Sequence, residues 1–172
     1  MTIKRWIVIS LALIGAGSAL AQEARPVGVL VRLGKFFPSA LQARNAGKDW
    51  FLFGVQVDIG KAPILTTAKR SSLALSVDTM QKGDLSATPV LINVVTHEGQ
   101  MIFSAGVGAS WDREARQTQA GLEKKNRLEF AWQLGMGYDL AKFKVPAQIE
   151  LRYLGNGYDT LSGFAVCLGV RF

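Results

Sequence analysis

The chain has 172 residues, 49% of them hydrophobic, and its 20 basic and 13 acidic side chains give a formal net charge of +7. Cys167 is the single cysteine, which excludes an intrachain disulfide. After the first 21 residues, no stretch approaches the roughly 20 apolar residues of a membrane-spanning helix. The basic residues form no stripe with interleaved aromatic residues, so we expect no nucleic-acid partner.

The first 21 residues have the organisation of a secretory signal peptide. Lys4 and Arg5 form a positive start, residues 6–14 form an apolar run, and residues 19–21 offer a small-residue cleavage site. The run is too short to cross a bilayer comfortably, which favours a signal peptide over a membrane helix. We therefore predict a signal peptide over 1–21 and one domain over 22–172, with 18 basic and 13 acidic residues and a net charge of +5.

Segments in which every second residue is apolar follow one another through the predicted domain. This period of two is typical of strands with two unlike faces, and the stretches between them contain the Gly, Pro, Asn and Asp residues of turns. The alternation is least regular in the fourth segment, whose facing stays open. The predicted strands are residues 26–37, 50–59, 71–80, 89–96, 100–111, 127–140, 146–154 and 163–172.

The connections between these strands differ in length. Those after the first, fifth and seventh strands are long and polar, and those after the fourth and sixth are short, so the long and the short connections lie at opposite ends of the predicted strands. Residues 112–126 carry seven charged side chains and are predicted to form a long exposed loop with room for a helical turn. The ten-residue connection after the second strand departs from the pattern.

The last ten residues show most clearly what the two faces are for. A wet face would carry large polar residues, whereas small residues opposite bulky apolar ones suit a narrow closed barrel with lipid outside and a crowded interior. Cys167 is interpreted as one of the small interior fillers. The bulky face is Phe164, Val166, Leu168, Val170 and Phe172, and the small face is Gly163, Ala165, Cys167, Gly169 and Arg171.

The terminal phenylalanine, with apolar residues at every second position before it, resembles the C-terminal signature of bacterial outer-membrane β-barrel proteins. Residues 88–91 and 104–108 also look like the small eight-stranded OmpA/OmpX-type family. The resemblance implies an all-β, eight-stranded antiparallel up-and-down transmembrane barrel, a monomer, in the bacterial outer membrane. It also implies contact with outer-membrane lipid and lipopolysaccharide. The assembly machinery would recognise the bulky face of the last strand: Phe164, Val166, Leu168, Val170 and Phe172.

Charged residues are also present on the small face. Because eight strands enclose a lumen only wide enough for side chains, ions placed there must pair with one another. We hypothesise an interior network in which arginines meet carboxylates. Its predicted members are Arg32, Asp58, Glu129, Glu150, Arg152 and Arg171.

We predict an integral outer-membrane protein with a structural or surface-interaction role, not an enzyme, with no cofactor and no metal site. The sole histidine, His97, lies in a predicted periplasmic turn, which disfavours a Ser/His hydrolase acting on lipid A. Two alternatives remain open. One is a narrow pore for small solutes, and the other is a secreted, lipocalin-like barrel, whose Gly/Ala/Ser face would then stand in water.

Overall fold

The structure, a computed structural model, describes residues 28–62, 71–118, 121–140, 146–157 and 161–172. Within these ranges the side chains of 114–118 and 121–125 are not described. The predicted signal peptide and the predicted turn at 141–145 lie outside the described residues.

Eight antiparallel strands close into a barrel in which each strand pairs with its neighbours in the chain and the last pairs with the first. The predicted all-β up-and-down barrel is therefore confirmed. One short helix, α1 (Leu41–Ala46), follows the first strand. The strands are β1 (Val29–Pro38), β2 (Trp50–Lys61), β3 (Ser71–Lys82), β4 (Leu85–Glu98), β5 (Met101–Thr118), β6 (Gly121–Asp139), β7 (Ala147–Asn156) and β8 (Gly163–Arg171).

Closure of the barrel joins the two ends of the domain. β1 and β8 pair in an unbroken register from Leu30 with Arg171 to Pro38 with Gly163. Val29 and Phe172 extend the ladder by exchanging two backbone hydrogen bonds, of 3.2 and 2.8 Å. We call this the lower end of the barrel, and the end that carries α1 the upper end.

The bulky apolar face points outward in all eight strands. Phe51, for example, is 59% exposed, and Leu168 is 52% exposed. An apolar band that runs around a whole protein is typical of a surface that faces lipid. Exposed apolar residues of the eight strands in order include Leu33, Phe51, Val77, Ile92, Val107, Leu134, Leu151 and Leu168.

The prediction that residues 112–126 form a long loop is wrong. β5 and β6 continue as a paired hairpin from Asp112 with Arg127 to Thr118 with Gly121. The charged sequence concealed these strands, since a ladder outside the barrel is held by backbone hydrogen bonds and needs no apolar alternation. β4 also begins earlier than predicted, at Leu85, directly after a turn in which Gly83 has a φ of 59°.

The predicted loop after β1 contains α1. In α1, Ala43 is buried against the side chains at the upper end of the barrel, and Leu41 is 73% exposed. None of the helices in the described ranges has the length and apolar character needed to cross a membrane. The irregular β4 turns Leu91, Asn93 and Val95 into the lumen, which settles the facing that the sequence left open.

Candidate functional site: the filled lumen

One carboxylate occupies the middle of the lumen between two arginines. Asp78 is fully buried, and both of its oxygens accept hydrogen bonds from Arg152, at 3.1 and 2.8 Å. Arg32 reaches the same carboxylate at 3.3 Å and also donates a 2.5 Å hydrogen bond to the side-chain oxygen of Gln56. Both arginines are about 1% exposed. In this dry environment a bidentate pair fixes geometry as well as charge.

Hydrogen bonds through amide side chains extend this cluster across the lumen of the barrel. Arg152 donates to Gln133, the Gln133 amide donates to Asn93, and Asn93 donates to the Ser76 hydroxyl at 2.9 Å. The chain of contacts from Ser76 to Gln56 links six of the eight strands. We call this group the ionic layer. Its members are Arg32, Gln56, Ser76, Asp78, Asn93, Gln133 and Arg152.

Glycine makes room for the ionic layer. Gly54 lies on β2, directly between Arg32 on β1 and Asp78 on β3 in the register. A Cβ atom at this position would stand 1.9 Å from an Asp78 carboxylate oxygen. The long side chains of the ionic layer therefore require the small residues beside them on the inner face, because they cross the lumen through the space that glycine leaves.

Below the ionic layer, the lumen holds two further carboxylates. Arg32 approaches Glu150 at 3.7 Å, and Gln148 donates to the same Glu150. At the lower end Arg171 pairs with Asp58 at 2.7 Å, with side chains 30% and 22% exposed. The pair at the mouth therefore remains in contact with water, unlike the pair at the centre.

Above the ionic layer, a cluster of apolar side chains fills part of the lumen. Phe36 and Trp50 are fully buried and meet edge to face with ring centroids 5.8 Å apart. The Trp50 indole donates to the Gly47 carbonyl at 3.1 Å, which ties the mouth to the end of α1 and satisfies the buried N–H. We call this group the apolar layer. Its larger members are Phe36, Trp50, Leu52, Met80, Leu91, Leu154 and Leu161.

Polar contacts on the β5–β7 side also reach the upper end. Asp112 accepts hydrogen bonds from Ser110 and, at 2.7 Å, from the Asn156 amide. The Asn156 backbone N–H in turn donates to Ser162 at 3.1 Å. Asp112 was assigned to a loop by the sequence analysis, and its buried position follows from the upward continuation of β5.

The six network residues predicted from the sequence occupy the inner face, and the structure brings some of them together. Arg32 meets Glu150, and Arg171 meets Asp58. Arg152 instead takes Asp78, which also binds Arg32 and was not among the predicted members. Glu129 is buried near the upper end, opposite Ser110 in the register, away from this cluster.

What the sequence analysis missed is the centre of the cluster and its amide links. Asp78, Gln56 and Gln133 lie on the small face of the predicted strands, so their inward direction was available from the alternation. Which carboxylate faces which arginine depends on the relative shift of strands on opposite walls, and no single strand carries that information.

The lumen of the described barrel is filled. The described residues line two small cavities of about 10 Å³ each, the space of about one water molecule. The described residues contain no group of three or more metal-ligating acidic, histidine or cysteine side chains. His97 was predicted to lie in a turn, but the structure places it within β4, near the lower end, where it pairs with Ile102.

On the outer surface, aromatic residues of adjacent strands stack near the upper end. Tyr153 lies between Trp132 and Phe164, with ring centroids 5.4 and 4.9 Å apart. The Trp132 ring also covers Gly155, where a Cβ would stand 2.3 Å from the indole. We call these outward-facing rings near the upper end the aromatic belt, since aromatic side chains are enriched at membrane interfaces.

One ion pair lies on the upper rim, outside the apolar band. Lys35 donates to Asp49, and Lys82 approaches the same carboxylate at 3.8 Å. The hydrogen bond and the positive charge of Lys35 hold the pKa of Asp49 below its ordinary value. All three side chains are exposed.

Comparison with solved structures agrees with this architecture. The crystal structure of Ail, the attachment invasion locus protein of Yersinia pestis, matches with a TM-score of 0.56 and 12% identity over 85% of this chain and 96% of that chain. The backbone structure of the Y. pestis outer membrane protein Ail in a phospholipid bilayer nanodisc gives 0.53 and 12% identity, covering 85% and 99%. The protein has the fold of the small eight-stranded outer-membrane barrels.

The likeness concerns the fold, since the identity is low. A third structure, the N-terminal β-barrel domain of Pseudomonas aeruginosa OprF, matches with a TM-score of 0.47 and 14% identity over 84% of this chain and 97% of that chain. No protein-family model matches the sequence, and no curated protein matches it.

Proposed function

We propose that this protein is an integral protein of the bacterial outer membrane, with a closed lumen and a structural or surface-interaction role that involves no catalysis. The observation that carries the proposal is the pairing of an apolar outer surface on all eight strands with a lumen filled by buried ions and amides. In water the outer surface would be unfavourable, because apolar surface exposed to water costs about 25 cal/mol per Å².

Support also comes from the related fold. Ail is described as an outer membrane protein and was studied in a phospholipid bilayer, which makes a bilayer the natural surrounding for the same barrel here. In this proposal the exposed aromatic belt lies at the upper interface with the membrane, in contact with lipid and lipopolysaccharide. The upper end, with α1 and the β5–β6 hairpin, faces the exterior.

The test is expression with the predicted signal peptide, followed by membrane fractionation and electrophoresis with and without boiling. We expect the protein in the outer-membrane fraction, with a folded form that resists unboiled detergent and shifts on heating. Recovery of the protein from a detergent-free periplasmic extract would contradict the proposal and would favour a secreted ligand-binding barrel.

A closed lumen makes a second measurement informative. Purified protein in a planar bilayer should show no steady conductance, because the ionic and apolar layers both cross the lumen. Regular single-channel openings would favour the narrow pore. Neither result alters the membrane assignment, so the two parts of the proposal are tested separately.

The proposal also gives β8 a role before folding. Phe164, Val166 and Leu168 project outward, each about half exposed, in the alternation that would be presented to the assembly machinery. A Phe164→Ser and Leu168→Ser double variant should accumulate as an unfolded precursor. Normal assembly of that variant would show that this face is not the signal.

A further inference from the structure

The ions of the middle and lower lumen come from the two ends of the chain. The strands between these ends contribute amides to the ionic layer, Asn93 from β4 and Gln133 from β6. The two ends meet where β1 pairs with β8, a contact that we call the seam. The ions are Arg32, Asp58 and Asp78 on β1, β2 and β3, and Glu150, Arg152 and Arg171 on β7 and β8.

Each ion of the first three strands has an oppositely charged partner on the last two strands. In a sheet open at the seam, β2 and β8 would lie six strands apart, about 29 Å at the usual strand spacing. The contacts therefore form when the barrel closes. We call them the seam pairs: Asp78 with Arg152 at 2.8 Å, Arg32 with Glu150 at 3.7 Å, and Asp58 with Arg171 at 2.7 Å.

A glycine allows the lowest seam pair to cross β1. The Gly28 carbonyl accepts a 2.9 Å hydrogen bond from the Asp58 N–H. A Cβ atom on Gly28 would stand 2.7 Å from an Asp58 carboxylate oxygen and 3.0 Å from the Arg171 guanidinium. The contact between Asp58 and Arg171 therefore passes directly over the start of β1 and joins the strands on either side of it.

Apolar alternation leaves the register of the seam ambiguous by two residues. A slip of one residue would turn the bulky face of β8 inward, which lipid outside and crowding inside both oppose. A slip of two residues keeps both faces. Val166 or Val170 would then stand opposite Leu33 in place of Leu168, and the residue opposite Gly34 would still be small.

The seam pairs distinguish these registers. A slip of two residues moves a side chain about 7 Å along its strand, which would separate Arg171 from Asp58. Because β7 pairs with β8 along its length, the same slip would carry Arg152 away from Asp78. Both of these side chains are buried, and a buried ion that loses its partner is strongly unfavourable.

We propose that the seam pairs fix the register in which β1 joins β8 when the barrel closes. Alternation determines which face of each strand points outward, and the charges select one register among those that alternation allows. Setting a register is the best-attested use of buried ionic and polar groups, whose desolvation offsets much of their mutual attraction.

Disulfide trapping across the seam tests the proposal. The full mature chain carries Cys167→Ala to remove the native thiol and is folded into lipid nanodiscs before oxidation. Leu33→Cys with Leu168→Cys reports the register of the structure, in which hydrogen-bonded partners have Cα atoms about 5.5 Å apart. Leu33→Cys with Val166→Cys or Val170→Cys reports a slipped register, because diagonal neighbours are too far apart for an unstrained disulfide. We expect the native reporter to cross-link at least about tenfold more than either slipped reporter.

Charge reversal should change this ratio of native to slipped cross-link. Asp58→Arg places a like charge beside Arg171 and should lower the ratio about tenfold. Asp58→Arg combined with Arg171→Asp restores the attraction and should return the ratio to within about threefold of the parent. Asp49→Arg is the matched control and should leave the ratio unchanged, since its partners Lys35 and Lys82 lie on the same side of the seam.

The swapped variant keeps the test decisive. A swap that cross-links no better than the single reversal would overturn the proposal, and so would a single reversal with the ratio of the parent. If Asp58→Arg does not fold, the folded fraction measured by heat-shifted migration replaces the ratio, and a swap that fails to restore it would equally overturn the proposal.

The inference concerns closure of the barrel and does not rest on the proposed function. A protein that cross-links as expected at the seam, yet is recovered from a detergent-free periplasmic extract, contradicts the proposed function alone. Outer-membrane protein whose seam ratio is insensitive to charge contradicts the register inference alone.

Discussion

The two layers that fill the lumen hold it closed by different means. In the apolar layer, Phe36 and Trp50 pack against leucines and a methionine, and each contact is replaceable by another of similar volume. In the ionic layer, Asp78 accepts hydrogen bonds from both arginines, whereas the carboxylate of Glu150 lies 3.7 Å from Arg32. The first layer tolerates repacking, and the second depends on one residue. We expect substitutions to affect the two layers accordingly.

The largest effect should follow from Asp78→Ala. Removing the carboxylate leaves Arg32 and Arg152 as buried charges without their shared partner, and breaking a buried pair in this way costs about 4 kcal/mol. Chemical unfolding in detergent micelles or lipid measures the loss. Asp58→Ala is the matched control, because its partly exposed pair with Arg171 should cost less than about 1 kcal/mol. Equal losses at the two sites would remove the distinction between the centre and the mouth.

A smaller effect is expected in the apolar layer. Trp50→Ala creates a cavity and leaves the Gly47 carbonyl without its indole donor, at a cost of about 3 kcal/mol in the same unfolding measurement. Trp50→Phe is the control and should recover most of the stability. Neither variant should conduct in a planar bilayer, because the ionic layer still crosses the lumen. Steady conductance of Trp50→Ala would show that the apolar layer alone closes the barrel.

The contact between glycine and the ionic layer gives a third test. Gly54→Ala pushes a methyl group against Asp78 and should destabilise the barrel by about 2 kcal/mol, because the fixed strands cannot move apart. Gly60→Ala in the same strand is the control, since nothing lies within 4 Å of a Cβ there, and it should change stability by less than about 0.5 kcal/mol. If both variants unfold alike, strand propensity and not the ionic layer explains the glycine.

The sequence was sufficient to predict the barrel but not the contacts between the side chains inside it. Period-two alternation predicted all eight strands and the facing of every strand except the fourth, since lipid outside and crowding inside impose opposite demands on successive residues. It could not pair Asp78 with Arg152, because the two are 74 residues apart and meet across the lumen. The alternation also did not reveal the apolar layer. Its members Phe36 and Trp50 lie at strand ends, where too few alternating residues remain to show which side chains point inward.

The β5–β6 hairpin shows a second limit of predicting strands from apolar alternation. Above the lipid no apolar alternation is required, so the strand signal ends at Trp111 although the backbone ladder continues to Thr118. Predictions of strand length from alternation therefore measure the lipid-facing part of a barrel strand and not its full extent.

The smallest effect is expected for the ion pair on the upper rim, where water screens the interaction between charges that is strong in the lumen. Lys35 keeps the pKa of Asp49 below its ordinary value, so this pair adds stability above the unfolded-state pKa of the carboxyl and loses it as pH falls through the folded-state value. Lys35→Met should raise the pKa of Asp49 in an NMR titration. Lys82→Met should raise it less, because Lys82 lies 3.8 Å away and makes no hydrogen bond. Unfolding near neutral pH should barely distinguish these variants from the parent, whereas a loss comparable to that of Asp78→Ala would mean that exposed and buried pairs contribute alike.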